Sequence, residues 1–172
     1  MQRVVTLLLA ALIVLPVTSF SQTRKRPAAK ASARPSLAQQ KAAEIQREGA
    51  TRVADQIKTL TKFIYLLGGV AKGLESVDDA ARRNQASPAA IDQAAKSKLV
   101  VRNSIRNVRD GLDQLESHIR MTPELQRYYI RIAGVAAGAA TAEQQAAANQ
   151  FDKAGRSLLD VVSRLTDALQ EM

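Results

Sequence analysis

Apolar residues recur at alternating steps of three and four along most of the chain, and breaks in that period divide it into segments. Val53, Ile57, Leu60, Ile64, Leu67, Ala71 and Leu74 form one stripe, the spacing of a single face of an α-helix. The period predicts a helix from Leu37 to about Val77, with a much more polar first third around Gln39 to Glu48. Between Phe63 and Leu74 the stripe widens to include Phe63, Leu66 and Val70, which predicts neighbours on more than one side. Gly49 and the Gly68–Gly69 pair are candidate kinks or breaks, because each glycine costs a helix about 1 kcal/mol relative to alanine.

Residues 78–86 (DDAARRNQA) read as a polar connection. Ser87 and Pro88 then supply an N-cap and a proline at the first helical position. The next stripe is the cleanest in the chain: Ile91, Ala94, Lys98, Val101, Ile105, Val108, Leu112, Leu115 and Ile119, with Lys98 the one polar interruption. It predicts a helix over 88–121. Thr122-Pro123 repeats the cap-and-proline pair, so a new helix is expected from there, with Leu125, Tyr129, Ile132, Ala136 and Ala139 inward. Gly134 and Gly138 make that face narrow. Thr141 with Gln144 resembles a capping box, which predicts a break near 140; the alternative is one unbroken helix from 123 to 171. Phe151, Ala154/Gly155, Leu158, Val162, Leu165 and Leu169 mark the inner face of the last helix. The expected fold is all-α: an antiparallel helical bundle of three to four long amphipathic helices over 37–172.

The first 21 residues have a different pattern. Val4 to Leu15 is a run of twelve residues with only Thr6 polar, preceded by Arg3 and broken by Pro16. A signal-peptide core is about 7–15 apolar residues, whereas a spanning helix needs about 20. Ser19 and Ser21 stand at the spacing of a cleavage site before Gln22. Residues 1–21 are therefore expected to be a signal peptide, and the mature protein to be exported, periplasmic or secreted. The alternative is an uncleaved membrane anchor over Val4–Phe20, because the basic cluster that follows lies on the side to be exported.

The chain carries 25 Lys/Arg against 16 Asp/Glu. Five of the cations, Arg24, Lys25, Arg26, Lys30 and Arg34, fall in residues 22–35 with no acid among them, whereas residues 36–172 hold 19 against 16. The basic character is thus mainly that of a Pro/Ala-rich linker over 22–36, expected to be disordered because it has too little apolar surface to offset its ordering entropy. There is no cysteine and no tryptophan, so the body must be held by packing alone rather than by disulfides.

The chemistry-bearing residues are few. His118 is the only histidine, so neither a transition-metal ligand set nor a nucleophilic triad can be assembled around it with cysteine or a second imidazole. The phosphate-loop, EF-hand, dinucleotide and haem-attachment patterns do not occur. Asp78-Asp79 and Asp110/Asp113 fit a polar turn and a solvated helix face better than acid–base catalysis. The expectation is a protein without cofactor or metal, not an enzyme.

Three features carry candidate binding. The linker cations suit an anionic envelope polymer or lipid, against a plain solubilising spacer. Arg102, Arg106 and Arg109 share one helix face, with Lys96 and Lys98 upstream and no acid between Asp92 and Asp110. That ridge suits a polyanion, against a face paired with acids of neighbouring helices. The third is the segment from Phe63 to Val70. It reads first as a buried centre and second as a dimer or membrane-contact surface. Nothing points to specific nucleic-acid recognition. The leading functional expectation is an exported non-catalytic helical protein acting by protein–protein or envelope-surface contacts, including self-association. The alternative is a polyanion- or membrane-surface-binding module built on the linker and the 96–109 ridge.

Overall fold

The computed structural model describes residues 36–172. The predicted signal peptide, and all of the predicted linker except Ser36, lie outside the described residues, as do Arg24, Lys25, Arg26, Lys30 and Arg34. Among the described residues the regular structure is entirely helical.

Helix α1 runs Leu37–Arg82, 46 residues, or roughly 69 Å at 1.5 Å per residue. Ser36 starts it with a capping box. Its hydroxyl accepts the Gln39 backbone N–H at 3.3 Å, and the Gln39 side chain accepts the Ser36 N–H at 2.9 Å. The helix passes through Gly49, Gly68 and Gly69 unbroken. A glycine penalty of about 1 kcal/mol is smaller than the loss of a continuous buried stripe. It also takes in residues 78–82 of the expected polar connection. Asp78 faces α2 there and accepts the Lys98 ammonium at 2.8 Å on both carboxylate oxygens. This pair explains the polar interruption of the second stripe.

Two residues past the end of the helix, Asn84 is left-handed at φ 56 and stops it from continuing. The Gln85 N–H reaches back to the Ala80 carbonyl at 2.8 Å, the bond that closes a Schellman motif. Helix α2 spans Pro88–Met121, with the Ser87 hydroxyl accepting the Ala90 N–H at 3.2 Å. Ile91, expected inward, is 45% exposed, because among the described residues no third helix lies beside it.

The expected helix start at Pro123 does not form. The Thr122 hydroxyl donates backward to the His118 carbonyl at 2.8 Å, so Thr122 closes α2 instead of capping a successor. A turn and a 3-10 segment, Gln126–Tyr128, lead into the four-residue helix α3, Tyr129–Ile132. Gly134 at φ 88 then ends that run, and α4 covers Val135–Ala147. The α4 start is capped from a distance: the Ala136 N–H donates to Glu116 Oε1 at 2.7 Å. The break expected near 140 lies instead at 148–150. Thr141 donates to the Ala137 carbonyl inside a continuous helix, and Asn149 at φ 59 makes the real end. Helix α5 is Phe151–Gln170.

Helix α1 packs on α2 and α5, and α4 packs on the same two helices. Leu60, Ile105, Leu112, Ile119, Leu158 and Leu165 are fully buried in the core they share. Gly138 lets α4 approach α5 closely, since a Cβ there would lie 2.7 Å from Val161 Cγ2. The α4–α5 turn lies beside Arg102 of α2, and the first turn of α5 beside Leu67 of α1. Past those points α1 and α2 continue as a two-helix hairpin, whose only buried apolar side chains over residues 72–100 are Leu74 and Ala94. No described helix is long and apolar enough to cross a membrane.

Candidate functional site

The three ridge arginines face α4. Arg102 donates to the last carbonyls of that helix, Ala146 at 3.2 Å and Ala147 at 3.0 Å, and to the Asn149 side chain at 3.0 Å. A guanidinium at a helix C-terminus satisfies carbonyls that have no intrahelical partner and matches the negative end of the dipole. Arg106 and Arg109 converge on Glu143, whose side chain is only 16% exposed; the Arg106 contact is 2.9 Å. Arg109 also holds Asp110 at 2.8 Å. The hydrogen bond to Asp110 and the nearby Glu143 carboxylate raise the Arg109 pKa further. These contacts bind α2 to α4.

On the other side of α2 two separate clefts lie between it and α1. The first, of about 200 Å³, is lined by Arg52, Asp55 and Gln56 of α1 and by Gly111, Gln114, Leu115 and His118 of α2, most of them polar. Arg52 is turned back to Glu48 at 2.8 Å, and this hydrogen bond holds the Glu48 carboxyl below its ordinary pKa. Among the described residues no group of three or more His, Asp or Glu side chains is placed to hold a metal ion.

Three heptads further along α1, and three back along α2, the second cleft is apolar. Val70, Gly73, Leu74 and Val77 face Ala90 and Ala94 across an open groove of about 360 Å³. Tyr65 (83% exposed) and Leu66 (63%) border a separate open hollow on α1 with Thr61 and Lys62, and Val100 is 65% exposed on α2. Gly68, Gly69 and Gly73 stand over open space, with nothing within 4 Å of where a Cβ would sit. Most of the large apolar side chains left exposed fall between residues 65 and 100: Tyr65, Leu66, Val70, Ile91, Leu99 and Val100.

The segment from Phe63 to Val70 therefore splits between two fates. Leu67 is buried, Phe63 and Ile64 pack against the core, and Tyr65, Leu66 and Val70 are outside. Its breadth was legible in the sequence; the outward turn was not, because among the described residues α1 has two long neighbours, α2 and α5, at this level. The Tyr128-Tyr129 pair is packing, as adjacent helical positions require: Tyr128 is buried, with Arg127 4.6 Å above its ring. No protein-family model, curated protein or solved structure matches this chain.

Proposed function

We propose that this chain is an exported, non-catalytic antiparallel helical-bundle protein that works by protein–protein contact through the outer face of the α1–α2 end. The observation that carries this reading is the gathering of exposed apolar side chains there, around Tyr65, Leu66, Val70 and Val100. Scattered apolar residues are ordinary on a surface, but their concentration on one stretch of two paired helices, with Val70 in the wall of an apolar groove between them, marks an interaction face. The polar cleft at His118 offers no comparable convergence, because Arg52 is already engaged by Glu48. Export rests on the twelve-residue run Val4–Leu15 and the Ser19/Ser21 spacing. N-terminal sequencing of the mature protein should then begin at Gln22.

The contact reading is tested by placing a photo-crosslinking side chain at position 65 in cells that make the protein. A discrete adduct is expected there and is not expected from the same group at Arg156, on α5. No adduct at 65 above that control removes the reading. A second reading, binding to a polyanion or to an anionic membrane surface, is favoured by the five cations without an acid in 22–35. It requires heparin or anionic-vesicle affinity that falls with salt and disappears when residues 22–35 are deleted.

A further inference from the structure

We propose that the partner on this face is a second copy of the same chain, its α1 laid antiparallel on the first about a two-fold axis at Gly69. The inference rests on the contact reading above and names its partner. Along the solvent side of α1, Lys62, Leu66, Gly69, Gly73, Ser76 and Ala80 follow one another at steps of four and three. That is the seam a helix presents to a close helical neighbour. Leu66 is its one large apolar member and is mostly exposed. A Cβ at Gly69 or Gly73 would touch nothing in the monomer, so neither glycine relieves a contact there, although each weakens the helix relative to alanine. Small residues on a seam let two helix backbones approach closely. With the axis at Gly69, Leu66 of one copy lies over the gap at Gly73 of the other.

The charges beside the seam select this register. Lys58, Tyr65, Lys72 and Asp79 repeat at seven-residue spacing along one flank. About Gly69, Lys58 falls beside Asp79 of the second copy, and Tyr65 falls beside Lys72. The first is an ion pair, and the second sets an ammonium against an aromatic ring. Each contact occurs twice by symmetry. A shift of one heptad in either direction loses both. One shift sets Lys72 against Lys72, and the other sets Lys58 against Lys72, each a like-charge pair. In the monomer Lys58 is held by Asp55 at 3.2 Å and Asp79 by Arg82 at 3.3 Å, all well exposed. Such surface pairs are worth little and exchange readily. A single helix-on-helix contact, from Lys58 to Ala80, sits at the small end of stable interfaces. The association should therefore be weak and concentration-dependent.

Sedimentation equilibrium of the full chain over a concentration series provides the test. The wild type should pass from monomer to dimer. Gly73→Leu fills the gap that Leu66 needs, and it should raise the dimer Kd at least about tenfold. Its thermal unfolding should match wild type or better, since the position is open in the monomer. Lys58→Glu should weaken the dimer, and adding Asp79→Lys should restore it. A wild type that stays monomeric throughout, or a dimer indifferent to Gly73→Leu, overturns the proposal. The adduct at position 65 separates the two levels. A product of twice the chain mass, lost in Gly73→Leu, supports self-pairing. An adduct of any other mass overturns self-pairing and leaves the contact reading standing, whereas no adduct removes the contact reading itself.

Discussion

At the scale of single residues, glycines of the same chain have opposite meanings, and what a methyl group would meet distinguishes them. Gly138 sits where α4 crosses α5, and its missing Cβ would fall 2.7 Å from Val161 Cγ2. Valine is stiff about χ1, so the methyl cannot be accommodated by rotation and the helices must separate. Gly138→Ala is expected to destabilise by about 1–2 kcal/mol, the overpacking cost less the gain in helix propensity. Gly68 lies in the middle of α1 with nothing within 4 Å, so Gly68→Ala should stabilise by up to about 1 kcal/mol. Urea unfolding of the two variants beside wild type checks both signs. If Gly138→Ala is neutral, the close α4–α5 approach is wrong.

At the scale of elements, the helices are set as much by their ends as by their stripes. Helices α1 and α4 both finish on an asparagine in the left-handed region, Asn84 and Asn149, followed by a backbone bond reaching back five residues. Asparagine tolerates this conformation better than other residues with a Cβ. Asn149 also accepts from Arg102. Asn149→Ala should therefore lower stability by about 1–2 kcal/mol, from the left-handed backbone and the lost bond together. Asn149→Gly, which relaxes the backbone, should lie closer to wild type. Equal losses in the two variants, read from urea midpoints, would leave the backbone argument without support. These ends also explain which parts of the fold could be read in advance. The spans of α1 and α2 were legible because their stripes are long and Ser87-Pro88 is a strong start. Thr122-Pro123 has the same local chemistry and yet starts no helix. Leu125 must reach α1, where its methyl groups lie 2.8 Å from the Cβ position of Gly49, and no local pattern encodes that contact. Thr141 and Gln144 suggested a break because the run from Val135 to Ala142 is too uniformly small to carry a strong stripe; the usable signal was Asn149. At the candidate site, the apolar character of Phe63–Val70 was plain. Which of its side chains turn outward depends on where α2 and α5 stand around α1, and periodicity within one helix does not fix that.

At the scale of the molecule, the core is unevenly distributed along the long axis of α1. Between Val53 and Leu67 the helix is covered by both α2 and α5, and fully buried leucine and isoleucine side chains fill the space from Leu60 to Ile119. From residue 72 to residue 100 the chain is a hairpin of two helices sealed by Leu74, Ala94 and the Lys98–Asp78 pair. Lys98 is 18% exposed and Asp78 38%, so the pair is partly shielded from water and matters more there than a surface bridge would. Local opening free energy follows the apolar contacts that must be broken. The hairpin tip, with few such contacts, should open without unfolding the remainder. Native-state hydrogen exchange at concentrations low enough to keep the protein monomeric should then show amides of residues 76–95 exchanging well ahead of those around Leu60, Ile105 and Leu158. Lys98→Ala should accelerate exchange in 76–95 further and leave Ile105 and Leu158 protected, because those residues depend on α4 and α5. If exchange is uniform along α1, the molecule opens as one cooperative unit and the hairpin is not an independent element. If protection of 76–80 rises with concentration while that of 85–95 does not, the added protection follows the α1 seam. That is the distribution expected when a second α1 lies across Gly69 and covers only one of the two hairpin helices.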